Sequence, residues 1–499
     1  MAEVITCRAT DGTELQFVNQ IVASGGMKDV YFSPDHSYVV AFFREQTDLN
    51  TTERLESIVG KYREGIFQQI GGEYWKNLFC WPNKIVFYNG MLGVVSPVYQ
   101  DDFFFSVGSK NNDFLSIKGK EKNGRWFASA QNQNTVLAAE ERGHWFNYFQ
   151  VCLSISRAMR RMHAAGLAHS DLSFNNVLVA PTKGRACIID IDGLVVPDKF
   201  PPEVLGTRGF IAPEVYETKH LALSDPLRIL PSIKTDRHAL AVLIYFYLLY
   251  RDPLEGCKVW DINDADRDEI LGRGKCALFI ENPHDTSNHV RKSDLKKTQL
   301  PQADPAQIPY TVCGSYLKEL FDRSFIIGLH KPELRPTAQD WEDALLKTID
   351  LMQPCQNPNC SHKWFVFDDT SHPRCPFCGT VHKGVIPILN FYSLRREHFT
   401  TDKLRLVVFD KQFLYLWHVN RNFSPNEKLT DEQKKSVGYF IFHHGMWLLV
   451  NQRLPDLEDK TNNRKIPIGG AVELSDGKQI LFSSRDTGAR LAIVQCVGK

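Results

Sequence analysis

No stretch of this sequence is apolar for long enough to cross a bilayer. A span needs about 20 residues, and the strongest apolar run, Ala239–Tyr250, is the length of a core helix. Neither sign of charge dominates: 59 Lys and Arg against 58 Asp and Glu leave a net charge of +1. No global field therefore favours nucleic acid or a membrane surface as a partner. The first residues, MAEVITCRATDGTE, lack the charged head and apolar middle of a secretory signal. Internal repeats and low-complexity tracts are also missing. Of the 12 cysteines, four cluster as two pairs and the rest are scattered. That usage fits a reducing compartment better than a disulfide framework, and a cytoplasmic protein is expected. With 499 residues, two to four domains have room for large cores.

The most informative stretch is His169-Ser-Asp171-Leu-Ser173-Phe-Asn175-Asn176, followed by Val-Leu-Val, a turn at Pro181–Gly184, and the apolar run Ala186–Ile189. This reads as a polar loop and a β-hairpin. At its far end lies Asp190-Ile191-Asp192-Gly193. The loop resembles the protein-kinase catalytic loop, H-x-D-L-x-x-x-N, and Asp190 falls where that family's metal-binding aspartate follows the hairpin. The hairpin length suits Asp190 better than Asp192. The resemblance implies that Asp171 orients an acceptor hydroxyl, while Asn176 and Asp190 hold Mg²⁺ on the phosphates of ATP.

Other segments extend the likeness in order. Met162-His-Ala-Ala-Gly166-Leu-Ala-His169 is similar to the family's L-H-x-x-G-x-x-H, at the end of a helix expected over His144–Ala164. Gly206-Thr207 through Ala212-Pro213-Glu214 resembles G-T-x-x-x-x-A-P-E, and Arg335 in Leu334-Arg335-Pro336-Thr337 is the expected partner of Glu214. Asp236 stands where kinases anchor the catalytic-loop backbone. Thr207 is expected near Asp171.

Three strands are expected over Leu15–Val22, Val30–Phe32 and Tyr38–Phe43. Between the first two, Ala23-Ser-Gly25-Gly26-Met27-Lys28 resembles a glycine-rich phosphate loop, with Val30 and Ala41 packing on adenine. The third strand departs from the family: Val40-Ala41-Phe42-Phe43 puts phenylalanine where kinases carry a phosphate-binding lysine. Side chains at i and i+2 share a strand face, so Lys28 points the same way as Val30 and can supply that charge. Arg44 lies on the opposite face. This arrangement is similar to the with-no-lysine kinases. A helix over residues 51–70, capped near Thr52, carries two candidates for the carboxylate that would pair with Lys28, Glu56 and Glu64. An Asn89-Gly90 hairpin leads to a hinge near Pro97–Tyr99. Ser173 replaces the lysine that Ser/Thr kinases usually place there. Residues 101–142 and 252–312 read as insertions.

Beyond residue 350 the composition changes. Cys355-x₄-Cys360 and Cys375-Pro-Phe-Cys378, with fourteen residues between the inner cysteines, form a zinc-ribbon pattern of four thiolates for tetrahedral Zn²⁺. His362 and His372 are weaker competitors. Residues 385–499 alternate in short strands, including Phe413–His418, as in a β-sandwich. The order resembles the forkhead-associated fold, which implies phosphothreonine binding. Arg421 lies in a suitable loop, but the family's S-x-x-H is missing.

The expectation is an α+β chain: a bilobal protein-kinase-like fold (residues 1–100 and 101–350), a Cys₄ zinc ribbon (351–384) and an all-β sandwich (385–499). Its expected activity is ATP- and Mg²⁺-dependent protein serine/threonine phosphorylation; the alternative is a pseudokinase scaffold that binds nucleotide. Partners would be a protein substrate or regulator docking on the sandwich, a phosphoprotein among them, with neither nucleic acid nor membrane.

Overall fold

A computed structural model describes residues 3–25, 27–69, 71–196, 199–200, 206–368, 370–395, 398–484 and 487–498. The chain is a mixture of helix and sheet in two compact units. One comprises residues 1–143, 147–310 and 318–342; the other comprises 144–146, 311–317 and 343–499. Among the described residues no helix is long and apolar enough to cross a membrane.

The first unit begins with seven antiparallel strands: β1 (Val4–Ala9), β2 (Glu14–Val18), β3 (Ala23–Ser24), β4 (Lys28–Phe32), β5 (Tyr38–Phe43), β6 (Lys84–Tyr88) and β7 (Met91–Pro97), in the order β2-β1-β6-β7-β5-β4-β3. Strand β1 escapes the sequence reading because its inward series, Ile5, Cys7 and Ala9, is short and only Ala9 is fully buried. The expected strand Leu15–Val22 stops at Val18. Alternation along β5 serves both faces. Val40 and Phe42 join one core with Phe17 and Val86, while Phe43 joins another with Leu55, Ile85 and Val94.

Leu55 comes from helix α1 (Leu49–Ser57), which is capped by Asp48 accepting from the Thr51 amide at 2.8 Å. The cap is thus Asp48 and not Thr52, since an aspartate in extended backbone can reach the orphan amides three residues on. The helix then widens into a π-helical stretch at Ile58–Tyr62 before closing at Arg63–Phe67.

The helical part of this unit includes α2 (Trp145–Ala164) and α3 (Ile233–Leu249). α3 has thirteen buried residues, consistent with an apolar surface all round. Its start is fixed by a capping box between Ser232 and Thr235, which sets Asp236 in the first turn. A hairpin, β8 (Val177–Ala180) and β9 (Arg185–Ile188), follows the polar loop. Arg335 is fully buried and makes two bonds to Glu214, at 2.8 and 2.7 Å, and others to the Gly328, Leu329 and Lys234 carbonyls.

In the second unit, strands Met352–Pro354 and Trp364–Val366 pair antiparallel beside the cysteine pairs. The remainder is two sheets, one of six strands and one of four. Leu389, Phe391, Leu406 and Val494 from the first meet Leu414, Phe440, Leu449 and Val472 from the second in one apolar core. This is sandwich packing. The expected strand Phe413–His418 ends at Tyr415, and Leu416–Val419 forms one helical turn, with the Tyr415 amide donating to His418 Nδ1 at 3.2 Å.

Truncating Arg335 to methionine strands Glu214 in a largely buried site. Reversible denaturant unfolding of the full chain should show a loss of about 3–5 kcal/mol. A change under about 1 kcal/mol, the usual range for a surface substitution, would contradict the assignment.

Candidate functional site

The polar loop is set by three devices that the sequence places far apart. Asp236, 1% exposed at the start of α3, accepts the His169 amide at 2.7 Å and the Ser170 amide at 3.0 Å. His163 of α2 contacts the same carboxylate at 3.1 Å. His169 in turn lies 3.0 Å by its Nε2 from the Ile189 carbonyl, so the loop is tied to the end of β9. These bonds hold Ser170 in the left-handed region, at φ 67°. A residue kept there by its surroundings is one way a site fixes its neighbour's direction.

That neighbour is Asp171. Its Oδ1 accepts the Thr207 amide at 2.6 Å and the Thr207 hydroxyl at 2.7 Å. The Asn176 amide group donates to Asp171 Oδ2 at 2.9 Å and to its backbone carbonyl at 2.8 Å. Gly206 makes the approach possible. At φ +110° it has the Ser170 carbonyl 3.3 Å and Asp171 Oδ1 3.8 Å from where a Cβ would stand.

Across a cleft of about 640 Å³ from this loop is the strand side: Gly25, Lys28, Val30, Ala41 and Phe43. Gly26 lies outside the described residues. Lys28, Val30 and Phe32 all line the cleft, as do Val39, Ala41 and Phe43, so each strand presents one face to it. Lys28 pairs directly with Phe43 across the β4–β5 ladder, its ammonium 5.2 Å from the ring centroid. Arg44 is instead engaged with the Gly25 carbonyl and with Asp29 at 3.8 Å, away from the cleft lining.

Lys28 forms an ion pair with Asp192, and this corrects the expected partners. Glu56 and Glu64 are both exposed. The buried face of α1 runs through Thr51, Arg54, Leu55 and on to Ile58. At 3.6 residues per turn, Glu56 falls roughly 150° from the centre of that face. The residue that does face the cleft is Arg54, a cation, and it was accessible to the same periodicity argument.

Asp190 stands at φ 58°, ψ 41° and opens the single turn Ile191–Gly193. Burial, with the Asp192 charge beside it, raises the Asp190 carboxyl above its usual range. Burial pushes Asp192 the same way, but the Lys28 charge and hydrogen bond, with Arg54 beyond, overcome it and leave Asp192 lowered. A second residue missed from sequence is Glu121, from the 101–142 segment. It lines the cleft and is pushed up by burial and by Asp190. No local pattern marks it, because a β-bridge between Phe104 and Glu121 brings it there.

In the second unit the sulfurs of Cys355, Cys360, Cys375 and Cys378 all lie within 4.8 Å of one another. Cys355 and Cys378 are 3.5 Å apart, and Cys360 and Cys375 are 3.9 Å apart. A tetrahedron with metal–sulfur bonds of about 2.3 Å has edges of about 3.8 Å, so this donor set fits a four-thiolate centre. Neither His362 nor His372 belongs to the cluster. His362 is stacked on Phe377 with ring centroids 3.7 Å apart.

No protein-family model matches the chain, and neither does any curated protein. Among solved structures it is similar to a crystal structure of the kinase domain of a Toxoplasma gondii specific rhoptry antigen. Identity is 13%, with 70% of this chain and 86% of that one covered, and the TM-score is 0.39, too low to define the fold by itself.

The Asp236 anchor has a measurable cost of removal. Asp236→Ala orphans two buried amides, each worth about 1–3 kcal/mol. Denaturant unfolding should therefore fall by roughly 2–6 kcal/mol, with the calorimetric transition shifted down. An unchanged midpoint would show that the loop does not depend on this carboxylate.

Proposed function

We propose that the first unit is a protein-kinase-like fold that transfers the γ-phosphoryl group of ATP to a protein serine or threonine hydroxyl. The observation that carries this reading is the convergence of Asp171, Asn176, Asp190 and Lys28 on one cleft, from three separate chain segments. Phosphoryl transfer asks little of a protein beyond positioning and charge compensation. Asp171, held at both oxygens, is the group to orient the acceptor hydroxyl and take its proton. Asn176 uses its amide nitrogen on Asp171, which leaves its carbonyl oxygen for a cation.

Asp190 is a carboxylate open to the cleft and beside a second one, an arrangement that favours a bound cation. Asn176 and Asp190 would hold Mg²⁺, which when bound offsets phosphate charge and makes the γ-phosphoryl group a better acceptor. Lys28 would steady the phosphates from the strand side, with Gly25 and the β3–β4 turn above them. Val30 and Ala41 would cover adenine at the Pro97–Tyr99 hinge.

The pseudokinase reading rests on a specific observation too. Phe43 fills the lysine position as a core residue, 6% exposed, and Ser173 is fully buried, its Oγ 3.2 Å from the Asn175 amide. Neither contributes charge. In the second unit we assign Zn²⁺ to the four cysteines as a closed, structural centre. The sandwich is a docking module for a protein substrate or regulator, with the exposed Arg421 as its candidate phosphate contact.

Two experiments test these assignments. Purified chain with Mg²⁺ and labelled ATP should phosphorylate itself or a general protein acceptor, and Asp171→Asn or Asp190→Asn should lower the rate by at least about 100-fold, the scale of one lost proton-transfer or charge-stabilising group. Lys28→Met should be as damaging, and Arg44→Met nearly neutral. Nucleotide binding without transfer in the unmutated chain would select the pseudokinase. For the metal, elemental analysis should find one zinc per chain, lost in Cys375→Ser together with cooperative unfolding of the second unit. A metal-free native protein would refute the zinc assignment.

A further inference from the structure

The cleft holds two carboxylates two residues apart, Asp190 and Asp192, and the kinase resemblance accounts for one of them. It also leaves Lys28 without the helix glutamate that such a lysine needs. α1 carries two acidic residues, Glu53 and Glu56, and both are exposed. The position that faces the cleft from α1 is Arg54, a cation like Lys28 and therefore no counter-charge for it.

The turn that begins at Asp190 separates the two carboxylates in direction. Asp190 stands in the left-handed region at φ 58°, ahead of the single 3₁₀ turn Ile191–Gly193 that carries Asp192, so the two side chains leave the backbone from unlike conformations. Asp192 turns to the strand wall, is 8% exposed, and meets the Lys28 ammonium.

We propose that Asp192 is the positioning carboxylate of this site: it holds Lys28 on the phosphate side of the cleft, in place of a helix glutamate, and leaves Asp190 as the metal ligand of the pair. This deepens the phosphoryl-transfer reading and rests on it for the role of Lys28. Arg54 lines the same cleft from α1 as a second cation, while the contact that Asp192 makes is with Lys28 and joins β4 to the turn after Asp190. The electrostatic order is the reverse of the family's, with the acid on the metal-binding turn and the base on the helix. Both arrangements neutralise a buried lysine and fix where its ammonium points.

The test separates positioning from metal ligation. Mg-ATP binding is measured by fluorescence with a labelled ATP analogue, across a Mg²⁺ titration, for the full chain and for Lys28→Met, Asp192→Asn, their double variant, Asp190→Asn and Asp192→Glu. Lys28→Met and Asp192→Asn should each weaken binding about tenfold, the value of one charge-assisted hydrogen bond, and the double variant should be little worse than either. Asp192→Asn should leave the half-saturating Mg²⁺ concentration within about twofold of the original, while Asp190→Asn raises it at least about tenfold. Asp192→Glu should recover part of the affinity. Additive losses, or a Mg²⁺ requirement that rises in Asp192→Asn as it does in Asp190→Asn, would overturn the proposal. Absence of nucleotide binding in the unmutated chain would refute the phosphoryl-transfer reading instead. Thermal unfolding of the same single and double variants then decides the pairing alone: non-additive shifts sustain it, and additive ones end it.

Discussion

Ionised carboxylates taken out of water must be met by donors or by cations, and the cleft floor is arranged around that requirement. Asp236 is met by two backbone amides and a histidine, Asp171 by a threonine and an asparagine, and Asp192 by a lysine. Apart from Asn176, which shares a loop with Asp171, the donors lie far along the chain from the acid they meet, so satisfying the acids is the same event as assembling the loop. A helix start, a β-hairpin and a glycine turn are thereby fixed relative to one another without any single strong contact. Asp190 is the exception. It opens to the cleft beside another acid, and desolvation with that neighbouring charge shifts its carboxyl upward.

How much of this was legible in the sequence depends on whether a residue's role is set locally. Asp171, Asn176 and Asp190 were readable because the loop and hairpin fix their spacing, and Lys28 because strand alternation fixes its face. The four cysteines were readable for the same reason. Glu56 and Glu64 were misjudged because the helix phase was left open; once Leu55 is placed in the core, both rotate outward and Arg54 rotates in. Glu121 could not have been found, since its approach to Asp190 runs through a bridge between segments with no common pattern. Strand β1 was missed because, although β2 and β6 pair with it on both sides, its inward series is only the small or part-buried Ile5, Cys7 and Ala9.

The segments taken as insertions behave as parts of the fold. Residues 101–142 contain the buried Lys122–Glu141 pair at 2.9 Å, and Glu141 also accepts the Val107 and Gly108 amides. Their polar composition had suggested loose structure, but polar residues that satisfy one another can order a loop as well as an apolar set does. Composition reports how much apolar surface a segment could bury and is blind to polar closure of this kind.

The ladder itself shows how a lysine on β4 can serve where the proposed kinase reading would place one on β5. Residues directly opposite in an antiparallel pair have Cβ atoms about 5 Å apart, and Lys28 and Phe43 are such partners. A lysine side chain spans a distance of that order, so moving it one rung across the ladder leaves the ammonium able to reach the same volume. The exchange also has a benefit for packing. Position 43 looks inward toward α1, where Leu55, Ile85, Leu92 and Val94 make an apolar core, and a phenylalanine completes it without burying a charge. Position 28 lies next to the turn, half-buried, where a lysine stem can lie along the Phe43 ring while its charge stays in the cleft. Once the cation enters from the turn side, its counter-charge must come from whatever faces that side. The face of α1 cannot provide it, because the helix turns Arg54 to the cleft, whereas the turn after Asp190 can. A phenylalanine at position 43 and a lysine opposite it at position 28 are thus consistent with the apolar core beneath them and with the pairing of Lys28 to Asp192.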